Sequence, residues 1–280
     1  METKVTSRKQ EIVISYNGPT RLIGERINPT GKKKLAAALR DGAFDVVRQE
    51  AISQVEAGAD ILDVNASTPE TDEISLLPRV LEIVMNSVDV PLCIDINNPA
   101  ALKEALKVYE GKPIVNSVSG EDSSLREILP LVKEYGTAVI GLTLDDKGIP
   151  KEEGKRLEIA NKIIETAESY GIPREDIIID CLSLTVGADN NAGIVTIGAV
   201  QKVREMFGVN QTLGASNVSY GLPDRVIVNN AYLSLVLQAG VTCPTVDADK
   251  VRPSILATDL LLGRDRFAMR YISDFNKRRK

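Results

Sequence analysis

Short apolar runs alternate along the chain with longer stretches whose apolar positions recur every three or four residues. The short runs read as buried strands and the periodic stretches as helices packed against them. Strands are predicted over Arg21 to Ile27, Asp60 to Asn65, Leu92 to Asn97, Pro113 to Val118, Ala138 to Leu144, Ile177 to Leu182, Thr212 to Val218 and Val241 to Val246. The helices between them are Asp45 to Ala57, Glu73 to Asn86, Pro99 to Tyr109, a segment opened by a capping box at Ser124 to Glu127, Glu152 to Tyr170, Ile197 to Phe207, Asp224 to Gln238 and Pro253 to Leu262. Eight strand–helix units in 280 residues fit a single (β/α)8 TIM barrel over 1–280. Residues 1–20 form an N-terminal extension and 268–280 a basic tail expected to be solvated and frayed. An open doubly wound sheet shares the alternation, but no GxGxxG follows the first strand.

The polar residues inside these runs carry the chemical signal. Glu25, Asn28, Asp63, Asn65, Asp95, Asn97, Asn116, Asp180 and Asn217 all fall late in apolar runs or just after them. A barrel gathers the C-terminal ends of its strands at one mouth, where such residues converge. Because side chains alternate along a strand, Asp63 shares a face with Asn65, and Asp95 with Asn97. Singly, each is a common cap or turn former. Their recurrence on strand after strand needs a shared explanation, since burying unpartnered carboxylates is costly.

Composition narrows the chemistry. The chain has no histidine, which removes imidazole acids and bases and the Ser-His, Cys-His and HExxH systems. Three widely spaced cysteines, Cys93, Cys181 and Cys243, are expected to be reduced thiols in a cytoplasm. Met1 to Gln10 is polar, and no apolar run is long enough to span a bilayer. A net charge of -5 argues against a nucleic-acid or anionic-membrane surface.

A ring of Asp and Asn without His admits three readings. Hard oxygen ligands suit magnesium, although the acids are dispersed and no clustered motif appears. A carboxylate pair suits glycoside hydrolysis, although the chain has no Trp and four Phe to serve as sugar platforms. Carboxylates and amides also match the donor–acceptor edge of a flat polar heterocycle such as a reduced pterin.

The ordered segments Gly24-Glu25-Arg26-Ile27-Asn28-Pro29-Thr30, Ile61-Leu62-Asp63-Val64-Asn65, Cys93-Ile94-Asp95, Val115-Asn116-Ser117, Ile179-Asp180-Cys181 and Gly214-Ala215-Ser216-Asn217-Val218-Ser219-Tyr220-Gly221-Leu222-Pro223 resemble the pterin-binding methyltransferase family, in particular its methyltetrahydrofolate:corrinoid protein methyltransferases. The resemblance runs from about Arg21 to Phe267. It implies a dihydropteroate synthase-like barrel in which Asp95, Asn116 and Asp180 hydrogen-bond the pterin. It implies that Asn217 is a mobile amide reaching the methyl-bearing N5, so that Asn217 and Asp180 serve catalysis. Asp63, Asn65, Ser219 and Arg225 are further pterin-site candidates. The expected substrate is tetrahydrofolate or its 5-methyl form, and the expected corrinoid arrives on a separate protein docking transiently at the barrel mouth. The DxHxxG signature of corrinoid-binding domains needs a histidine, which this chain lacks. No metal site is expected, and the resemblance suggests a homodimer.

Two alternatives share the barrel. Dihydropteroate synthase carries a first-strand loop like Asn-x-Thr-Pro-Asp-Ser-Phe-Ser and a His-bearing anion motif after the last strand. Here those places hold Asn28-Pro29-Thr30-Gly31-Lys32-Lys33-Lys34 and Val246-Asp247-Ala248-Asp249. A non-catalytic folate-binding subunit has no need of Asn217. Lys32 to Lys34 read as a solvated loop, or as contacts for a glutamate tail or the partner.

Overall fold

A computed structural model describes residues 1–69 and 71–279; Lys280, the last residue of the basic tail, lies outside the described residues. The chain opens with a hairpin, β1 (Glu2–Thr6) and β2 (Glu11–Ser15), and then β3 (Ile23–Ile27). There follow α1 (Lys33–Asp41), α2 (Asp45–Glu56), β4 (Ile61–Val64), α3 (Glu73–Met85), β5 (Leu92–Asp95), α4 (Pro99–Val108), β6 (Ile114–Ser119) and α5 (Asp122–Tyr135). The second half comprises β7 (Ala138–Leu142), α6 (Glu153–Ser169), β8 (Ile177–Asp180), α7 (Ala192–Phe207), β9 (Asn210–Thr212), α8 (Arg225–Ala239), β10 (Thr245–Val246), α9 (Ala248–Leu261) and α10 (Met269–Arg278).

Eight parallel strands run in the order β10-β3-β4-β5-β6-β7-β8-β9. The seam between β9 and β10 is drawn shut by Cys243 N–H donating to Gln211 O at 3.1 Å and Thr245 N–H to Leu213 O at 3.0 Å. The result is the TIM barrel that the alternation predicts.

Two cores hold it together. Leu62, Val64, Ile94, Val115 and Ile179 point outward to the helices. Ile23, Ile61, Cys93, Ile114 and Ile178 point inward and pack on Val5, Ile12 and Ile14 of the hairpin, which plugs the N-terminal end of the barrel. Each fully buried Ile or Leu contributes about 1.5–3 kcal/mol. Beyond these inward residues the period of two places a second layer two positions along each strand: Glu25, Asp63, Asp95, Asn116 and Asp180. An apolar floor therefore carries a polar rim on the same strands.

Local chemistry sets several boundaries. Asn98 caps α4 by accepting from Ala100 N–H and Ala101 N–H, with Pro99 in the first turn. In β3 the register shifts between Gly24 and Ile27, and the buried Gln54 Oε1 accepts the Arg26 N–H at 2.8 Å. A Cβ on Gly24 would sit 2.6 Å from that oxygen, so only glycine lets the patch approach.

Several boundaries differ from the sequence reading. The seventh strand ends at Thr212, and Ala215–Ser219 form a 3-10 turn, because small polar residues after Gly214 favour turns over ladder pairing. The eighth strand shrinks to Thr245–Val246. Helix α5 begins at Asp122 rather than with a capping box, and Ser124 Oγ accepts Ser119 N–H instead. Helix α7 spans Ala192–Phe207 and contains the expected Ile197 to Phe207 segment. Lys33 and Lys34 open helix α1 rather than lying in a loop, and Lys32 Nζ donates to the carbonyls of Glu25 and Arg26. The basic tail is not frayed over its described length: α10 is pinned by Asp274, which pairs with Arg252 at 2.7 Å and Arg278 at 2.9 Å. Among the described residues no helix is long and apolar enough to cross a membrane.

Candidate functional site

The polar rim divides into two sectors. In the first, neighbouring strands lock their polar side chains together. Asp95 Oδ2 accepts from Asn65 Nδ2 at 3.0 Å and from Asn28 Nδ2 at 3.4 Å. Asp63 Oδ1 accepts from Asn116 Nδ2 at 3.1 Å, which leaves the Asn116 carbonyl as an acceptor toward the mouth. The strand register brings Asp95 beside Asn116 and Asp63 beside Cys93. Asp63 is the deepest of the set, and Cys93 hydrogen-bonds its carboxyl from below.

Burial governs the charge of this sector. Desolvation, followed by the neighbouring Asp95, pushes Asp63 up to about 8, so it holds its proton at neutral pH. Asp95 is also raised by burial, with the Asn65 amide pulling the other way. Two carboxyl groups this close favour sharing a single negative charge. The amide donors also occupy carboxylate lone pairs that a hard cation would need. A cavity of about 370 Å³ lies beyond the ends of β5, β6 and β7, lined by Asn97, Ser117, Ser119, Glu121 and Leu142 among others.

Asp180 stands apart at the end of β8. It is buried, and its carboxylate accepts the N–H groups of Leu182 and Gly214. Leu182 takes a left-handed backbone with φ +60°, costly for a branched side chain, in order to turn its N–H back on Asp180 Oδ1 at 2.6 Å. Burial raises Asp180 to about 6, so it remains mostly ionised at neutral pH.

The second sector is the 3-10 turn after β9. Asn217 sits at its centre, exposed, and its side chain makes no hydrogen bond among the described residues. The turn itself is braced. Ser219 is fully buried, donates to Asn229 Oδ1 at 2.7 Å and accepts from Arg225 Nε at 3.0 Å. Arg225 Nη2 donates to Ser216 O at 2.7 Å, and its guanidinium lies 5.9 Å from the centre of the Tyr220 ring. Ser216 Oγ donates to Glu25 Oε1 at 3.3 Å. Burial holds the Glu25 carboxyl above its ordinary range. Glu25, Ser216, Arg225, Asn229, Asp247 and Lys250 line a cleft of about 180 Å³ behind the turn.

The eight candidates therefore fall into distinct places. Asp63, Asn65, Asp95 and Asn116 interlock, Asp180 lies at the end of β8, and Asn217 is exposed on the turn after β9. Ser219 and Arg225 hold the Asn217 turn from behind. Sequence reasoning did not single out Arg156, Ser216 or Asn229. Arg156 did leave a signal: it occupies the helical stripe completed by Ile159, Ala160, Ile163, Ile164 and Ala167, a position meant for an apolar residue.

A family model described as pterin binding enzyme matches residues 24–247. The chain is 32% identical over 264 residues to the methylcorrinoid:tetrahydrofolate methyltransferase of Eubacterium limosum, covering 91% of this chain and 96% of that protein. It is 29% identical to the methionine synthase of Mycobacterium tuberculosis over 90% of this chain, but that match spans only 22% of the longer protein. Among solved structures, the dihydropteroate synthase of Yersinia pestis superposes with a TM-score of 0.71 at 16% identity, covering 94% of this chain and 100% of that one. The Xanthomonas albilineans dihydropteroate synthase in complex with 7,8-dihydropteroate gives 0.64 at 17% identity, covering 89% and 95%. These structural likenesses concern the fold.

Proposed function

The chain belongs to the pterin-binding enzyme family, and we propose that it is a methyltransferase moving a methyl group between N5 of tetrahydrofolate and the cobalt of a corrinoid on a separate protein. The observation that carries the reading is the mixed protonation of the rim. Asp63 is held neutral, Asp180 is held mostly charged, and the Asn65 and Asn116 amides are fixed by their aspartic partners, Asp95 and Asp63. Such a set offers both donors and acceptors to one ring edge, as a pterin with its amino group, ring N–H groups and 4-oxo group requires.

The residues then divide the work. Asp95, Asn116 and Asp180 hold the ring, with Asp63 and Asn65 fixing the first two. Asn217 swings to N5 and donates an amide N–H hydrogen bond as the N5–methyl bond breaks, while a proton from solvent, relayed by the neighbouring acids, leaves N5 as N–H. A hydrogen bond that strengthens as the amine departs lowers the barrier without binding the ground state more tightly. An amide is suited to this because it donates without titrating. In the reverse direction the N5 lone pair takes the methyl group, and the same contacts orient it. The corrinoid supplies the nucleophilic or methyl-bearing cobalt. Its protein docks at the open mouth, where Asn217 and Tyr220 are exposed.

The identity to the Eubacterium limosum protein and the absence of any histidine favour this reading over dihydropteroate synthase. After the last strand, where that enzyme carries its His-bearing anion motif, this chain has Val246-Asp247-Ala248-Asp249. The same reading includes a homodimer, supported by the exposed Phe267, Met269 and Ile272 on and beside α10, and a cytoplasmic setting, supported by three free buried thiols.

The test mixes the protein with 5-methyltetrahydrofolate and cob(I)alamin, and separately with methylcobalamin and tetrahydrofolate, following the corrinoid spectrum. Conversion in either mixture is expected. Tight folate binding with no spectral change in both would point to a binding subunit instead.

A further inference from the structure

Arg156 is the largest side chain in the molecule to be completely buried, and it projects from the apolar stripe of α6 toward the end of β8. Its Nε donates to Pro150 O at 2.8 Å. Its Nη1 donates to Cys181 O at 2.7 Å, Leu182 O at 2.9 Å and Thr196 Oγ1 at 3.0 Å. Nη2 makes no hydrogen bond, and among the described residues no carboxylate comes within ion-pair distance. A buried cation without an adjacent counter-ion is costly, and a methionine or leucine would fill the stripe more cheaply. Both strand-end carbonyls that it binds belong to the two residues following Asp180, and the second is the left-handed Leu182 whose N–H holds the Asp180 carboxylate.

We propose that Arg156 is a positioning residue for the site: it clamps the Cys181–Leu182 turn in the conformation that aims Asp180 at the mouth, and its charge keeps Asp180 a carboxylate there. The guanidinium and the carboxylate thus form one unit separated by a turn of backbone, close enough to interact through a dry interior. Among the described residues, Arg156 on α6 is the charged group that Asp180 faces. The other titratable groups around the two are the Cys181 thiol on β8, the Cys243 thiol before β10 and the Tyr232 phenol on α8. All three are pushed up to about 12 or beyond by burial and stay neutral, while Glu153 faces Arg156 from its own helix. Burial works against Asp180 as a carboxylate; the N–H groups of Leu182 and Gly214 oppose it first, and Arg156 adds its charge to theirs while holding the turn that presents the Leu182 N–H.

This inference rests on the folate reading for the role of Asp180 but can be tested apart from it. In the full chain carrying aspartate labelled with carbon-13 at the side-chain carboxyl, Asp180→Asn identifies the Asp180 resonance. Its titration is then followed in the wild type, Arg156→Gln and Arg156→Lys, with 5-methyltetrahydrofolate affinity measured across the same pH range. The wild type is expected to titrate at about 6. Arg156→Gln should raise the midpoint measurably above that of the wild type and carry the acid limb of folate binding with it. Arg156→Lys, which keeps the charge, should stay near the wild type.

A midpoint that Arg156→Gln leaves in place overturns the inference, since a purely structural brace would lower affinity at every pH alike. If Arg156→Gln does not fold, the other two proteins decide. Midpoints at or below about 7 in both uphold the counter-charge role, and a higher one in either overturns it. A midpoint that moves in a protein binding no folate at any pH breaks the folate reading and leaves Arg156 in its role. Folate binding whose acid limb ignores Arg156→Gln does the reverse.

Discussion

The two sectors of the barrel mouth are built on opposite principles. On β4, β5 and β6 the polar groups are spent on one another: Asp95 takes two amides, and Asp63 takes Asn116 and the Cys93 thiol. Across the mouth, the backbone of the Ala215–Ser219 turn is tied down by Ser219 and Arg225, while the Asn217 amide it carries is left exposed. The first arrangement fixes side chains before a ligand arrives, so little ordering is left to be done on binding. The second fixes only the platform. A group that must meet an atom changing charge and distance during a reaction gains from freedom at its tip and rigidity at its base.

This contrast can be broken at either end. The largest effect is expected on the fixed side. Asp95→Asn should weaken folate binding by roughly 2–5 kcal/mol, because an amide that keeps its oxygen toward Asn65 and Asn28 must turn an NH2 donor, in place of a carboxylate acceptor, toward the N–H edge of the ring. Calorimetric titration with 5-methyltetrahydrofolate measures it, and an affinity within threefold of wild type would remove Asp95 from the anchor. On the mobile side, Asn217→Ala should slow methyl transfer by about 100- to 1000-fold, the range seen when one donor to a developing charge is removed. Folate affinity should stay nearly unchanged. Equal losses in rate and affinity would make Asn217 one more anchor and erase the difference between the sectors.

The smallest effect is on stability. Asp63 sits at about 8 in the folded protein, above its value in an unfolded chain. The folded state thus keeps a proton that the unfolded state releases. Its contribution is full below the ordinary aspartate range and is lost as pH climbs through about 8. The melting temperature of the wild type should fall from pH 5 to pH 9 more steeply than that of Asp63→Asn, which mimics the neutral acid. Parallel pH profiles for the two would mean that Asp63 is ionised throughout, and that the fixed sector is held by charge rather than by shared protons.

Much of this molecule is legible along the chain. The alternation of apolar runs and helical stripes, counted to eight units, points to a barrel, and the step of two between Ile61 and Asp63, Cys93 and Asp95, Ile114 and Asn116, or Ile178 and Asp180 places a polar rim above an apolar floor. Asn217 was legible as a candidate, but its conformation was not. An apolar–polar pattern cannot tell a strand from a short 3-10 turn when Gly214, Ala215 and Ser216 precede it, since small residues satisfy both. The roles of Ser219 and Arg225 were blurred for a related reason. A serine beside a site reads the same whether it faces the ligand or braces the turn behind it.

Sequence by itself determined the fold class, the strand ends that carry the buried polar residues and the absence of imidazole, because periodicity and composition are local and additive properties. Only the tertiary structure decided which acid keeps its proton, which amide pairs with which carboxylate, and that Arg156 on α6 stands behind Asp180 on β8. Those outcomes depend on desolvation and on contacts between strands and helices far apart in the chain. Both vary with distance in space, and no local pattern of residues records that distance.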